Sequence, residues 1–265
     1  SVLAGIELVY NRPPEANSID IKTINFISGA ASTLDIAIFS LSGQSFVDAI
    51  LAAKNRGVKV RMVTETDNWN IWMDQLKQAG ITIIKDSDGG GGSGFMHNKF
   101  IIRDSKDVLT GTYNFTPDQT EKDKNTIIIL TNASGLASIY KTEFEQMYVS
   151  KKFGTQKSPQ TVTTAVVDGI TIEVYFSPKN NITAKLISAI QTCNSNLYFS
   201  IFTFTDQGIA DAIKNLMTLG RSVRGVFDRW QADSNYSKDE YLKEAGADIR
   251  LDLYSGLLHD KLMAI

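Results

Sequence analysis

The chain has 265 residues, 43% of them hydrophobic and 21% charged, which is long enough for one large domain or two ordinary ones and too apolar for a disordered chain. Lysine and arginine total 27 against 29 aspartates and glutamates, a net charge of -2, so a wholesale cationic surface for nucleic acid or anionic lipid is excluded, although a local basic groove is not. The single cysteine, Cys193, excludes an intramolecular disulfide without fixing the compartment, and no apolar run approaches the roughly 20 residues of a membrane-spanning helix.

In chain order, no charged-then-apolar signal segment opens the sequence, and Ser1-Val2-Leu3-Ala4-Gly5 reads as a processed end. Val9-Tyr10 begins the first patterned region. Ile36 to Leu41 predicts a buried strand, and Gln44 to Arg56 predicts a helix, apolar at Phe46, Val47, Ile50, Leu51 and Ala53 and stopped by Gly57. Val58 to Thr64 predicts a strand, Ile71 to Gln78 a helix stopped by Gly80, and Ile81 to Lys85 a strand. Met96 to Arg103, Asp107 to Thr110 and Thr126 to Thr131 follow as strands, then a helix from Ser134 to Val149. Strands alternating with helices predict an α/β fold around a mostly parallel sheet. The polar stretch Lys151 to Thr164, with Gly154 and Pro159, reads as a linker.

The pattern then repeats. Ile38-Phe39-Ser40 through Ala49-Ile50 reads against Ile201-Phe202-Thr203 through Ala212-Ile213 at an offset of 163. Gly57 to Arg61 meets Gly220 to Arg224 at the same offset, and Leu76 to Gly80 meets Leu242 to Gly246 at 166. His97-Asn98-Lys99-Phe100 meets His259-Asp260-Lys261-Leu262 at 162. The expectation is two lobes, residues 1–155 and 156–265, each a mostly parallel sheet flanked by helices. By the first copy's measure the second stops roughly forty-five residues short, so the sequence is expected to be part of a longer chain with its second lobe incomplete.

The sequence holds only two histidines, and both are followed two places later by lysine. Chance would do that on the order of one time in two hundred at average lysine usage. Alternation along a strand points His97 and Lys99 the same way, and an imidazole beside an ammonium calls for an anion between them. Phosphate fits: lysine neutralises its oxygens, while histidine can attack phosphorus or carry a proton. Asp104 lies five places after Lys99, and Gly111-Thr112-Tyr113-Asn114 follows.

His97-x-Lys99-x4-Asp104 with Gly111-Thr112-Tyr113-Asn114 resembles the HKD motif and the GSxN element of the phospholipase D superfamily, and His259-x-Lys261 resembles the second motif of its two-motif members. The resemblance implies a phospholipase D-like pseudo-dimer in which the motifs meet across a pseudo-twofold interface. It implies that one of His97 and His259 attacks a phosphodiester, the other protonates the leaving oxygen, and water or an alcohol resolves the phosphohistidine, with no metal or other cofactor. Lys99 and Lys261 would bind phosphate oxygens with Asn114 and Thr112 assisting, and Asp104 would stand behind a histidine and fix its tautomer. Thr112 replaces the family's usual serine and keeps the hydroxyl. The aspartate of the second motif is expected at position 266, past the last residue given.

Blander readings stand beside these. Asp104 and Asn114 are also good turn residues. Gly89 to Gly94 lacks the Lys-Ser/Thr of a phosphate-cradling loop and reads as a flexible segment at the rim of the site. Cys193 reads as a small packed residue, and the Lys54, Arg56, Lys59, Arg61 cluster and Lys151-Lys152 as solvated faces or the border of a nucleic-acid groove. The sequence therefore predicts a metal-independent phosphodiesterase, with nucleic acid as the favoured substrate. A soluble phospholipase D or phosphatidyltransferase, touching lipid through Phe95, Met96 and Trp69 to Trp72, is the alternative, and an inert phosphate- or nucleic-acid-binding module is a third. A monomer is expected, since the internal pseudo-dimer supplies both motifs. Location stays open, with an exported bacterial protein preferred to a cytoplasmic one.

Overall fold

The computed structural model describes residues 5–13, 18–90 and 94–265. Ser1 to Ala4 of the expected processed end, and Gly91 to Ser93 of the glycine run, lie outside the described residues. The chain divides into two units: the first holds residues up to Glu121 and from Thr126 to Asn180, the second Lys122–Asn125 with Asn181–Ile265.

The first unit contains β1 (Gly5–Asn11), α1 (Ile19–Ser28), β2 (Thr33–Ile38), α2 (Gln44–Asn55), β3 (Lys59–Thr64), α3 (Ile71–Gln78), β4 (Thr82–Lys85), β5 (Lys99–Arg103), β6 (Asp107–Gly111), α4 (Pro117–Glu121), β7 (Asn125–Thr131), α5 (Ser134–Tyr148) and the hairpin β8 (Thr164–Val167) and β9 (Ile170–Glu173). Seven strands form one sheet in the order β1-β7-β6-β5-β2-β3-β4. The pairs β2·β3 and β3·β4 are parallel, whereas β2·β5, β5·β6 and β6·β7 are antiparallel. Strand directions thus refine the expected sheet: its parallel half is β2–β3–β4, and the half formed by β5, β6 and β7 is antiparallel, with a tight turn joining β5 to β6.

Side-chain alternation builds two cores, one on each face. Ile36, Ile38, Met62, Ile101 and Leu109 pack with Ile27 of α1, Ile50 of α2 and Leu76 of α3. Their neighbours in sequence, Ala37, Val63, Phe100, Ile102 and Val108, pack with Leu136, Tyr140 and Phe144 of α5. Phe100 is 1% exposed, so truncating it to alanine would cost about 3–5 kcal/mol. The hairpin packs on this second core through Val167, Ala165 and Ile172. The boundary therefore falls at Asn180, not at 155: the apparent linker and the hairpin after it belong to the first lobe.

The second unit contains α6 (Ile182–Gln191), β10 (Asn196–Ile201), α7 (Gln207–Thr218), β11 (Ser222–Asp228), α8 (Arg229–Ala232), α9 (Asp239–Glu244), β12 (Asp248–Asp252) and β13 (Lys261–Ala264). Its sheet order is β12-β11-β10-β13, with β10·β11 and β11·β12 parallel and β10·β13 antiparallel. That is the order and sense of β4-β3-β2-β5, so the repeat read from sequence is a repeat of topology. Its core joins Leu197, Val223 and Phe227 of the sheet to Ile190, Ile213 and Leu242 of the helices, with Cys193 buried among them.

Candidate active site

In the first lobe the chain leaves β2 at Phe39, and it enters β5 through His97. The two rings meet edge to face, 4.5 Å between centroids at 73°. Lys99, the first residue of β5, is 7% exposed; its ammonium stands 4.9 Å over the Phe39 ring and donates to the His97 carbonyl at 3.0 Å. An ammonium held over an aromatic face away from bulk water strengthens its attraction for an incoming anion. The Phe115 segment bridges to Leu41, with mutual hydrogen bonds to Ser40 and Ser42, which fixes Asn114 beside the loop that follows Phe39.

The second lobe reproduces this set. Phe202 and His259 have ring centroids 5.0 Å apart, and the Lys261 ammonium lies 5.0 Å over Phe202 and donates to the His259 carbonyl at 2.8 Å. Solvent reaches part of the Lys261 side chain, yet its ammonium is desolvated enough to bring its pKa down to about 8, with Asp260 and Asp228 opposing the fall. His259 is buried, and its Nδ1 lies 2.9 Å from the Oδ1 of buried Asn125. An amide oxygen only accepts, so Nδ1 is the donor in this contact and Nε2 is the ring nitrogen left to meet a substrate. Asn125 is delivered by the Lys122–Asn125 segment, which runs beside the residues before β13: Lys124 N–H donates to the Leu257 carbonyl at 2.8 Å, His259 N–H to the Lys124 carbonyl at 2.9 Å, and the Lys124 ammonium to Asp252 at 2.6 Å.

Two expectations are corrected. Asp104 does not stand behind His97, because it sits past the far end of β5, about 16 Å along a five-residue strand from Lys99. Its carboxylate accepts from the amides of Ala31, Ser32 and Thr33 and from the Ser32 hydroxyl. Burial pushes its pKa up, but these donors outweigh that and hold it at about 2. Thr112 uses its hydroxyl on Thr126, accepting from the backbone N–H at 3.0 Å, which makes it a tie between β6 and β7. Gly111 is required at the same approach: a Cβ there would meet the Thr126 carbonyl oxygen at 2.1 Å. Asn114 is 8% exposed and its amide oxygen has no hydrogen-bond partner; only its NH2 group could donate to a phosphate oxygen.

The basic cluster is not one face. Arg61 is gripped by Asp35 at 2.6 Å and Glu145 at 2.8 Å beneath α5, and Arg56 caps carbonyls of Ser28 and Ala30. Among the described residues, no group of three or more His, Cys, Asp or Glu is placed to hold a metal ion. No described helix is long and apolar enough to cross a membrane. Sequence reasoning missed three residues of the sites. Phe39 and Phe202 carried a signal, since they pair at the repeat offset, whereas Asn125 is 134 residues from its histidine and carried none.

Two lobes of one topology, each carrying the same phenylalanine–histidine–lysine set, define a two-motif protein of the phospholipase D superfamily. A family profile described as cardiolipin synthase, PLD-like domain, matches residues 23–148 and again 186–265, and the chain belongs to this family. A mitochondrial cardiolipin hydrolase of Xenopus tropicalis is 30% identical over 138 residues, 51% of this chain and 63% of that protein, so the chain spans less than two thirds of the relative's length. Among solved structures, a phosphatidylserine synthase from Haemophilus influenzae superposes with a TM-score of 0.60 at 10% identity, over 84% of this chain and 61% of that one. A polyphosphate kinase from Porphyromonas gingivalis superposes at 0.59 and 14% identity, over 98% of this chain and 43% of the other. At such identities the likeness is one of fold.

Proposed function

We propose that the protein is a metal-independent phosphodiesterase in which His97 and His259 act in turn on one phosphorus atom. The observation that carries this reading is the duplicated set itself, an imidazole and an ammonium arranged about one phenylalanine in each lobe. One imidazole attacks phosphorus through a ring nitrogen lone pair, forming the N–P bond as the P–O bond to the leaving group breaks. The other, protonated, gives its proton to the departing oxygen. Water then attacks the phosphohistidine, its proton passes to the second imidazole, and the N–P bond breaks. Lys99, Lys261 and the amide of Asn114 hold the non-bridging oxygens and stabilise charge as it builds there. His259, with its proton on Nδ1, presents the lone pair that either attack or proton abstraction needs.

The substrate of this reading is nucleic acid. Phe95, two residues before His97, is 69% exposed and meets Phe39 edge to face at 5.8 Å, which offers a stacking surface for a base next to the chemistry. The second reading, a phospholipid, is favoured by the name of the cardiolipin hydrolase relative. Incubation with single-stranded DNA, duplex DNA, RNA and cardiolipin or phosphatidylcholine vesicles, each with EDTA, separates them. Nucleic-acid cleavage surviving EDTA is expected, exclusive vesicle hydrolysis would establish the second reading, and cleavage abolished by EDTA would overturn both.

A further inference from the structure

Beyond the residues assigned above, the two lobes share a buried carboxylate that no motif of the sequence reading contained. Glu65 follows the last residue of β3 and is 3% exposed; its Oε2 accepts the backbone N–H of Met96, the residue before His97, at 2.5 Å. Asp228 ends β11, the strand equivalent to β3, and is 1% exposed; its Oδ2 accepts the backbone N–H of Leu258, the residue before His259, at 2.8 Å. Both carboxylates also bind the amide two residues on, Asp67 in the first lobe and Trp230 in the second, the latter at 3.0 Å. Glu65 and Asp228 stand 163 apart and Met96 and Leu258 stand 162 apart, the offsets of the repeat.

We propose that Glu65 and Asp228 are the positioning residues of the two lobes, each gripping the peptide N–H that precedes a histidine and so fixing where its imidazole stands; the proposal rests on the two-histidine reading for its kinetic consequence. Each histidine peptide is then held from both sides. A carboxylate takes the N–H before it, and the lysine two places on donates to its carbonyl, Lys99 at 3.0 Å and Lys261 at 2.8 Å. Charge-assisted bonds to backbone are short and directional, and they cost rotamer entropy on neither the histidine nor the lysine. The side chains differ in length, yet they stand at the same register position, each following the residue paired with Ile38 or Ile201, and both reach the equivalent amide. A catalytic imidazole displaced by about 1 Å loses on the order of a hundredfold in rate, so the clamp belongs to kcat and not to binding.

The test uses the full chain with Glu65→Leu, Glu65→Gln and Asp228→Leu. NMR follows the Met96 and Leu258 amides and the two imidazoles, while kcat and KM are measured on bis(p-nitrophenyl) phosphate. Glu65→Leu should move the Met96 amide upfield and shift the His97 ring signals while leaving Leu258 and His259 in place, and Asp228→Leu should do the reverse. Each should lower kcat about tenfold or more with KM within about threefold. Glu65→Gln keeps an acceptor oxygen and should restore most of the loss. Unchanged His97 signals in Glu65→Leu, or a Gln variant as damaged as the Leu one, would overturn the proposal. Should Glu65→Leu not fold, Glu65→Asp, one methylene short with its charge kept, must shift the His97 signals or the proposal fails. If the unaltered chain turns over no bis(p-nitrophenyl) phosphate, the phosphodiesterase reading fails on that probe, while the imidazole signals still decide the clamp.

Discussion

His259 Nδ1 and Asn125 Oδ1 are 2.9 Å apart, and the pair is neutral on the asparagine side. A carboxylate at that place would favour the imidazolium; an amide oxygen fixes the tautomer without doing so. The two residues are 134 apart in sequence, and both are buried.

Asn125→Ala should therefore leave a buried Nδ1–H without its acceptor and let the His259 ring turn. Turnover is expected to fall about tenfold to a hundredfold with little change in KM. Nitrogen-15 spectra of the imidazole should show a mixture of tautomers in place of the Nδ1–H form. A single unchanged tautomer in the variant would show that Asn125 does not set it.

Burial of its ammonium brings the Lys261 pKa down to about 8, against 10.5 for a free lysine, with the charges of Asp260 and Asp228 opposing the fall. As pH rises through about 8 the charge that would meet phosphate is lost, so KM for bis(p-nitrophenyl) phosphate should climb above that pH. Folding responds with the opposite sign: the unfolded chain keeps the proton up to 10.5, so this group adds stability as pH rises between about 8 and 10.5. Lys261→Arg, which stays charged throughout, should remove the rise in KM.

Asp104 tests the reassigned role. Its carboxylate ties the Ala31–Thr33 segment to the end of β5, so Asp104→Asn should lower stability by about 2 kcal/mol at neutral pH while leaving kcat within about twofold. The folded pKa, about 2, lies below the ordinary 3.8, so the contribution is present above that ordinary value and fades as pH falls through about 2. Thermal melts of both proteins should therefore converge in acid. A large loss of kcat with stability unchanged would return Asp104 to the catalytic set.

Much of the fold was legible because apolar spacing and glycine stops are local signals. The helix expected over Ile71 to Gln78 is α3, and the expected end of α2 at Gly57 coincides with a left-handed glycine at φ 93. The antiparallel turn of β5 against β2 was not legible, since strand direction is set by the connection and not by the strand's own residues. The β8–β9 hairpin was lost in a stretch that composition marks as linker, because its burial comes from α5, a partner outside the window. Histidine and lysine positions were legible through the repeat. The partners that orient them were not: Asn125 and Asp104 show that a hydrogen bond formed between distant segments leaves no spacing to read.

The central claim is tested most directly by turnover of His97→Ala and His259→Ala in EDTA-treated protein. Each substitution should lower turnover by at least about a thousandfold, because a two-step covalent route needs both an attacking and a proton-carrying imidazole. Either variant keeping more than a tenth of the unaltered rate would contradict it.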